Sequence, residues 1–419
     1  MDLSIRNRRF LTFNHSDVII SPIVYERWKC MNSIVGNSQL IQKMNRLKVL
    51  NYIRKNPDTP RNIIAKETGL SVASLTNITS YLISAGLLTE CGTEQASRVG
   101  RKSTPLRFAA DSYGLVCISI GADTISVSHT DLNGKIIDSS VICDGNMHPS
   151  KVVEPIRAYI SSLLDEYGKD RILAIGISIS GLVLDGSRFV VSSSLKWKEF
   201  DLKAVLEKDT GLPVFVENMS LLKGVWYFNS NKTNATHNMV FVDMENGIGS
   251  CQFYKGEINR AMLGEIGHTT VKSDGEQCFC GNTGCLEAMC SVHRIEKIYN
   301  DSKRDTKYDF AHIVHKFHQG DAYAISAVKE CATFLGIGLS SLVNICKPSV
   351  IVINTGQFTD LPELIDIAIE ELYRRAYPAL LEGLDIRRIY VKEHQAVGGA
   401  ALNLCDRLFS IDFDGNIVE

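Results

Sequence analysis

One imidazole and three thiols fall within the eighteen residues from His268 to Cys285, spaced H-x9-C-x-C-x4-C through Cys278 and Cys280. Any fold that uses this segment must bring those four side chains to one point or leave three thiols buried without a purpose. A tetrahedral zinc ion takes four nitrogen or sulfur ligands, and a Cys3His set fills every position with none left for water. Gly281 and Gly284 permit the tight turns needed to gather three sulfurs. The spacing reads as a closed, structural zinc site. The competing reading is three buried free cysteines, since Cys is among the most buried residue types; the nearby histidine and the short spacing favour the metal.

The residues around the cluster are Gly264-Glu265-Ile266-Gly267-His268 and Cys278-Phe279-Cys280-Gly281-Asn282-Thr283-Gly284-Cys285-Leu286-Glu287. They resemble the hallmark of the ROK family of repressors, open reading frames and sugar kinases, and the resemblance runs from about Asn37 to the C-terminus. It implies an α/β chain whose two-lobed, actin/hexokinase-like body binds sugar, with the zinc bracing a loop beside the pocket. By position, Asn218, Glu265, His268 and Glu287 match residues that hydrogen-bond sugar hydroxyls in the family. His268 either serves zinc and sugar through its two ring nitrogens or is restricted to one of them. Trp197 resembles an aromatic at the pocket wall, and a core tryptophan fits it equally.

At 419 residues the chain needs two or three domains. Its charged and apolar fractions, 22% and 45%, are those of a globular protein. It has no run of about 18 apolar residues to cross a membrane, and residues 1–30 lack a signal core. Twelve cysteines then point to thiols and metal ligands in a cytoplasmic setting, not to a disulfide framework. Charge is uneven: residues 41–108 hold eleven bases against four acids, a net of +7 in a chain of net −2. A basic head on an acidic body is the layout of a nucleic-acid reader with a separate sensor.

From Met44 to Thr89 the pattern predicts three helices. Val49, Leu50 and Ile53 form the first apolar stripe, Thr59 is placed to cap a second helix with Pro60 at its first position, and Gly69 ends it. Ser71 caps a third helix that buries Leu75, Ile78 and Leu82. This is helix-turn-helix geometry, in which the third helix enters the major groove of double-stranded DNA. Its other face carries Ala73, Ser74, Thr76, Asn77 and Ser80, short enough for base edges to approach; Asn77 suits adenine, and Thr76 or Ala73 a thymine methyl. Leu87–Glu90 reads as turn-rich. Residues 98–108 then form a wing whose Arg98, Arg101 and Lys102 lie along phosphate or the minor groove. A helical docking domain with a charged surface is the alternative. Arg6, Arg8 and Arg9 mark an N-terminal arm or an upstream start.

Beyond Tyr113 short β-rich runs alternate with helices, and a similar order restarts at Met239. The expected organisation is an extension (1–40), a winged helix-turn-helix (41–110), a first lobe (111–240) and a second lobe with the zinc loop (241–419). Kinases of the family use a D-x-G-G-T loop, a G-x-G-I-G-x-G loop and an aspartate base after asparagine. This chain has Ser119-Ile120-Gly121-Ala122-Asp123, Glu245-Asn246-Gly247-Ile248-Gly249-Ser250-Cys251 and Asn218-Met219, with Asn354-Thr355 at the adenosine-side glycines. A thioether accepts no proton, and a glutamate repels phosphate where backbone N–H groups should cradle it. The expected function is a sugar-responsive regulator, most simply a repressor, binding a palindromic operator as a homodimer or homotetramer with no membrane partner. The rivals are a sugar kinase with a DNA-binding head and a DNA-binding protein with a decayed pocket.

Overall fold

The computed structural model describes residues 37–91 and 104–410, apart from 146, 185–187, 193–194, 199, 234, 246, 261–264 and 303–306. Helix α1 (Asn37–Lys55) starts ahead of the expected stripe and buries Leu47, Val49, Leu50 and Ile53. It stops before Asn56-Pro57, as the proline disfavours helical backbone at the residue preceding it. The expected Thr59 cap does not form. The Thr59 hydroxyl donates to the Asn56 carbonyl at 2.7 Å, and Thr59–Pro60 is a short strand β1 pairing with Leu106 and Pro105. Sheet pairing holds this dipeptide extended, so α2 (Arg61–Thr68) begins after it and closes on Gly69 at φ 68°. Helix α3 (Val72–Ser84) is capped as expected, its Ser74 N–H donating to Ser71 Oγ at 3.1 Å. The stretch read as turn-rich contains strand β2 (Leu88–Glu90), which pairs with β3 (Pro105–Phe108) to complete a winged helix-turn-helix with sheet order β1-β3-β2.

The body repeats one topology twice. In the first lobe β4 (Gly114–Ile120), β5 (Thr124–Asp131) and β6 (Ile136–Asp144) form an antiparallel meander, followed by α4 (Pro149–Tyr167) and a parallel strand β7 (Ile172–Ile179). A small sheet of β8 (Leu182–Leu184), β9 (Arg188–Ser192) and β10 (Trp197–Lys198) precedes α5 (Leu202–Thr210), the parallel strand β11 (Val214–Asn218) and helix α6 (Met219–Ser230). The order is β11-β7-β4-β5-β6. In the second lobe β12 (Asn238–Asp243), β13 (Gly249–Tyr254) and β14 (Glu257–Ile258) repeat the meander. Helices α7 (Leu286–Met289), α8 (Val292–Asp301), α9 (Phe310–His318) and α10 (Ala322–Cys346) follow. Strand β15 (Val350–Asn354), α11 (Pro362–Arg375), β16 (Asp385–Ile389) and α12 (Glu393–Leu408) complete the order β14-β13-β12-β15-β16. Helix α10 is long and apolar enough to cross a membrane, yet it lies along α11 with Ala327, Leu335 and Leu339 buried in the second lobe's core.

The helix that ends each lobe packs on the other lobe's sheet. Leu221 and Val225 of α6 join Met239, Phe241 and Phe253, while Ala401 and Leu404 of α12 join Leu115, Cys117 and Ala174. The two helices touch backbone to backbone: a Cβ on Gly399 would lie 2.0 Å from the Leu222 carbonyl oxygen. Gly398 has room, its nearest neighbour being Trp226 Cδ1 at 3.5 Å. Gly399→Ala is therefore expected to cost about 1–3 kcal/mol through overpacking, whereas Gly398→Ala gains up to about 1 kcal/mol of helix propensity. Thermal melts of the two variants test this, and equal melting temperatures would remove the close contact from the account.

Candidate DNA-binding surface, metal centre and sugar cleft

Leu75, Ile78 and Leu82 turn α3 into the head's core, so Ser71, Ala73, Ser74, Thr76, Asn77 and Ser80 all face solvent on the other side. The Thr76 hydroxyl donates back to the Val72 carbonyl at 2.8 Å, which leaves its methyl outermost. Val72, 71% exposed at the start of the same helix, is a further apolar tip suited to a thymine methyl. Its only mark in the sequence is its place beside the cap. Arg98, Arg101, Lys102, the N-terminal arginines and Gly264 lie outside the described residues. The charge count overstates what DNA can meet. Arg61 pairs with Glu90 at 2.6 Å, Arg107 with Asp58 at 2.6 Å, Arg54 with Asp406 at 3.0 Å, and Arg46 stacks on the Tyr81 ring at 3.7 Å.

The metal-binding candidates converge. His268 ends a short turn (Ile266–His268), and bridges pair Thr270 with Cys285 and Gln277 with Thr283. Between them the Cys278 N–H donates to Asn282 O at 2.8 Å and the Gly281 N–H to Cys278 O at 3.0 Å, closing the turn at Gly281 (φ 94°). Gly284 is needed for space as well as for its φ of 72°, because a Cβ there would meet Lys272 O at 1.5 Å. One ligand atom from each of His268, Cys278, Cys280 and Cys285 lies within 4.8 Å of all the others. Cys280 Sγ is 3.7 Å from Cys285 Sγ, and Cys278 Sγ is 3.5 Å from His268 Nδ1. A tetrahedral ion at zinc–sulfur and zinc–nitrogen lengths sets its ligands about 3.5–3.8 Å apart, so the donor set could hold such a cation. Burial pushes the Cys278 thiol up to about 12; a dication reverses that preference by binding thiolate. The Asn282 amide donates to Cys285 Sγ at 3.4 Å as outer support. No spacing marks Arg294, which α8 brings to Glu276 of this loop and to Glu330 of α10.

The sugar candidates gather around the turn at Gly247–Gly249. Glu287 accepts the Ile248 N–H at 2.9 Å, and a Cβ on Gly247 would meet its carboxylate at 2.4 Å. Burial raises the pKa of Glu265, with His268 opposing and Glu287 adding, so these three groups lie within electrostatic reach. Solvent still reaches Glu265, although protein crowds its carboxyl. Since Nδ1 of His268 faces the thiols, its Nε2 is the nitrogen left for another partner. Asn218 caps α6: its side-chain oxygen accepts from Ser220 N and Leu221 N at 2.8 and 3.2 Å, and its amide donates to Gly181 O at 2.8 Å. One amide hydrogen remains for a ligand. Ser220 touches the same turn, lying 2.5 Å from where a Gly249 Cβ would be. Met219 is buried. Trp197 is in the first lobe's core, donating to Met147 O at 2.9 Å and lining a cavity of about 570 Å³ with Phe189 and Phe200.

The positions that the family resemblance places on the nucleotide side carry a buried polar network of the chain's own side chains. Lys223 of α6 pairs with Asp243 at 3.0 Å and with Glu245. Asp243 also accepts from Asn354 Nδ2 at 2.6 Å and Ser220 Oγ at 2.9 Å, while Asn354 Oδ1 accepts the Val391 N–H at 2.9 Å. Burial alone would lower the Lys223 pKa, but the two carboxylates outweigh it and raise it. Ser119 and Ile120 end β4, and Gly121–Asp123 make a tight turn into β5, the Gly121 N–H donating to Thr124 O at 3.0 Å.

A family model described as the ROK family matches residues 115–405, and a winged helix-turn-helix DNA-binding model matches residues 45–89. The xylose repressor of Bacillus spizizenii is 26% identical over 356 residues, 83% of this chain and 91% of that protein. The DNA-binding transcriptional dual regulator NagC of Escherichia coli is 25% identical over 385 residues, 88% and 94% of the two chains. A ROK family transcriptional regulator, a homolog of the E. coli MLC protein, superposes with a TM-score of 0.75 at 22% identity, covering 88% of this chain and 97% of its own. A ROK hexokinase from Thermus thermophilus covers 69% of this chain and 97% of its own, with a TM-score of 0.57 at 26% identity. Hallmark residues, doubled topology and a family match over more than half its length agree: the chain belongs to the ROK family.

Proposed function

We propose that this protein is a sugar-responsive DNA-binding transcriptional regulator, acting as a repressor of carbohydrate genes. The observation that carries the reading is a division within the cleft. The nucleotide end is filled by Lys223, Asp243, Glu245 and Asn354, whereas Glu265, His268 and Glu287 stay grouped beside a metal-binding loop. A sugar seated there would be held by carboxylates and an imidazole matched to its hydroxyls, and analogues lacking a hydroxyl would be rejected. Met219 supplies no general base, whose help is typically worth about 10²–10⁴-fold, so phosphoryl transfer is not part of the function. The names of the curated relatives, a xylose repressor and NagC, support the regulator reading.

Zinc is the proposed occupant of the His268, Cys278, Cys280 and Cys285 cluster, where it would be structural: it would fix the loop that carries His268 and leads into Glu287. The head's third helix is the proposed DNA reader, with the wing residues Arg98, Arg101 and Lys102 on the backbone. A homodimer on a palindromic operator follows from the symmetry rule for helix-turn-helix proteins. The effector would act by favouring one lobe arrangement over another.

The leading test is fluorescence anisotropy, at fixed salt, on DNA from upstream of the protein's own gene. Tight binding relieved by D-xylose, N-acetylglucosamine or another sugar of a pentose, hexose and amino-sugar panel is expected; binding that no sugar shifts would overturn the sensor reading. Asn77→Ala should weaken binding by about 1–3 kcal/mol, the worth of one bidentate base contact, with an unchanged melting temperature because Asn77 is exposed. ATP consumption over the same panel should stay at background. Cys280→Ser, at an exposed ligand position, should lower zinc content and soluble yield; full metal retention with an unaltered melt would exclude the zinc assignment.

A further inference from the structure

Adjacent residues in the last turn of α12 reach in two directions. Asp406 pairs with Arg54 of α1 at 3.0 Å, and just beyond the helix the Phe409 carbonyl accepts the Asn51 amide at 2.9 Å. The Phe409 ring meets Phe108 edge-on at 6.1 Å, with the Arg54 guanidinium against both rings. Arg407 points the other way. Its guanidinium lies over Phe215 and 3.8 Å from the Glu217 carboxylate. Glu217 precedes the cleft residue Asn218 and accepts that residue's N–H at 3.2 Å. The same carboxylate accepts from Arg260 at 3.0 Å, and Arg260 follows β14 of the second lobe. A single buried carboxylate, its side chain 5% exposed, is thus shared by an arginine from the second lobe and an arginine on the helix that holds the DNA head.

We propose that Glu217 is the pivot through which the state of the cleft reaches the DNA head, Arg260 and Arg407 competing for its carboxylate. The two guanidiniums oppose each other: burial and Arg260 work against the charge on Arg407, and Glu217 supports it. Movement of the second lobe carries Arg260 with it and changes Arg407's share of Glu217. A shift of the α12 backbone at Arg407 carries Asp406, its neighbour on the same turn, with it. Asp406 draws α1, and α1 shares one continuous core with α3 and with Cys405, Leu408 and Phe409 of α12. A change of lobe angle is thereby passed to the recognition helix through packed, charged contacts, a rigid-body mode of switching. This deepens the proposed regulation and rests on the cleft being the sensor.

The test needs no effector. Amide hydrogen exchange is measured on the full chain as wild type, Arg260→Gln, Arg407→Gln, the double variant, and Arg388→Gln, an exposed arginine paired with Asp366, as a surface control. Arg260 is 44% exposed on its side chain, so its replacement leaves the core intact. Arg260→Gln is expected to change exchange by about threefold or more in residues 47–55 and 402–410, with β12 unaltered, as local opening energies shift. In the Arg407→Gln background Arg260→Gln should add nothing to α1. An unchanged α1 in Arg260→Gln overturns the relay, as does an equal effect with and without Arg407. A change that includes β12 also counts against it, since that is general loosening; Arg260→Lys, which keeps the charge, must then behave as wild type or the relay is rejected. A negative result here is distinct from the failure of every sugar to relieve operator binding, which would reject the sensor reading instead.

Discussion

The backbone contact between α6 and α12, where Gly399 lies against the Leu222 carbonyl, is the constraint that the rest of the molecule depends on. Each helix leaves its own lobe and packs on the other's sheet, so separating the lobes would strip apolar cover from both. The N-terminus of α6 is capped by Asn218 in the cleft, and the C-terminus of α12 abuts α1 of the DNA head. The contact therefore joins the place where a ligand would be sensed to the element that would respond.

Around this frame stand two groups of polar side chains with different chemistry. In one, the carboxylates of Glu265 and Glu287 and the His268 imidazole are grouped beside the turn at Gly247–Gly249 and a loop with the geometry of a metal site. In the other, Lys223 meets the carboxylates of Asp243 and Glu245, which leaves a net negative charge. Breaking a buried pair of this kind strands a charge and costs several kcal/mol, about 3–5 in measured cases. The network therefore braces α6 against β12 and β15.

The DNA head shows a similar economy of charge. Its bases outnumber its acids, but Arg54, Arg61 and Arg107 are held by carboxylates and Arg46 by an aromatic ring. The exposed face of α3 is left small and neutral, which suits direct contact with base edges.

Local chemistry was legible in the sequence. The H-x9-C-x-C-x4-C spacing, the Ser71 cap, the Gly69 stop, the alternating strands and the restart near Met239 each depend on residues a few positions apart, whose backbone preferences and periods survive without tertiary contacts. The departures from the family's kinase motifs at Met219, Ala122, Asp123 and Glu245 were equally readable there. What the tertiary structure decided were the pairings between distant residues. Thr59–Pro60 became a strand because Pro105 and Leu106 arrived beside it. Lys223 became the partner of Asp243 and Glu245, and Glu217 the shared partner of Arg260 and Arg407. A lysine in an apolar helix and a glutamate in a strand carry no mark of such partners. Only the crossing of α6 and α12, bringing three remote segments to one place, gives those charges their meaning.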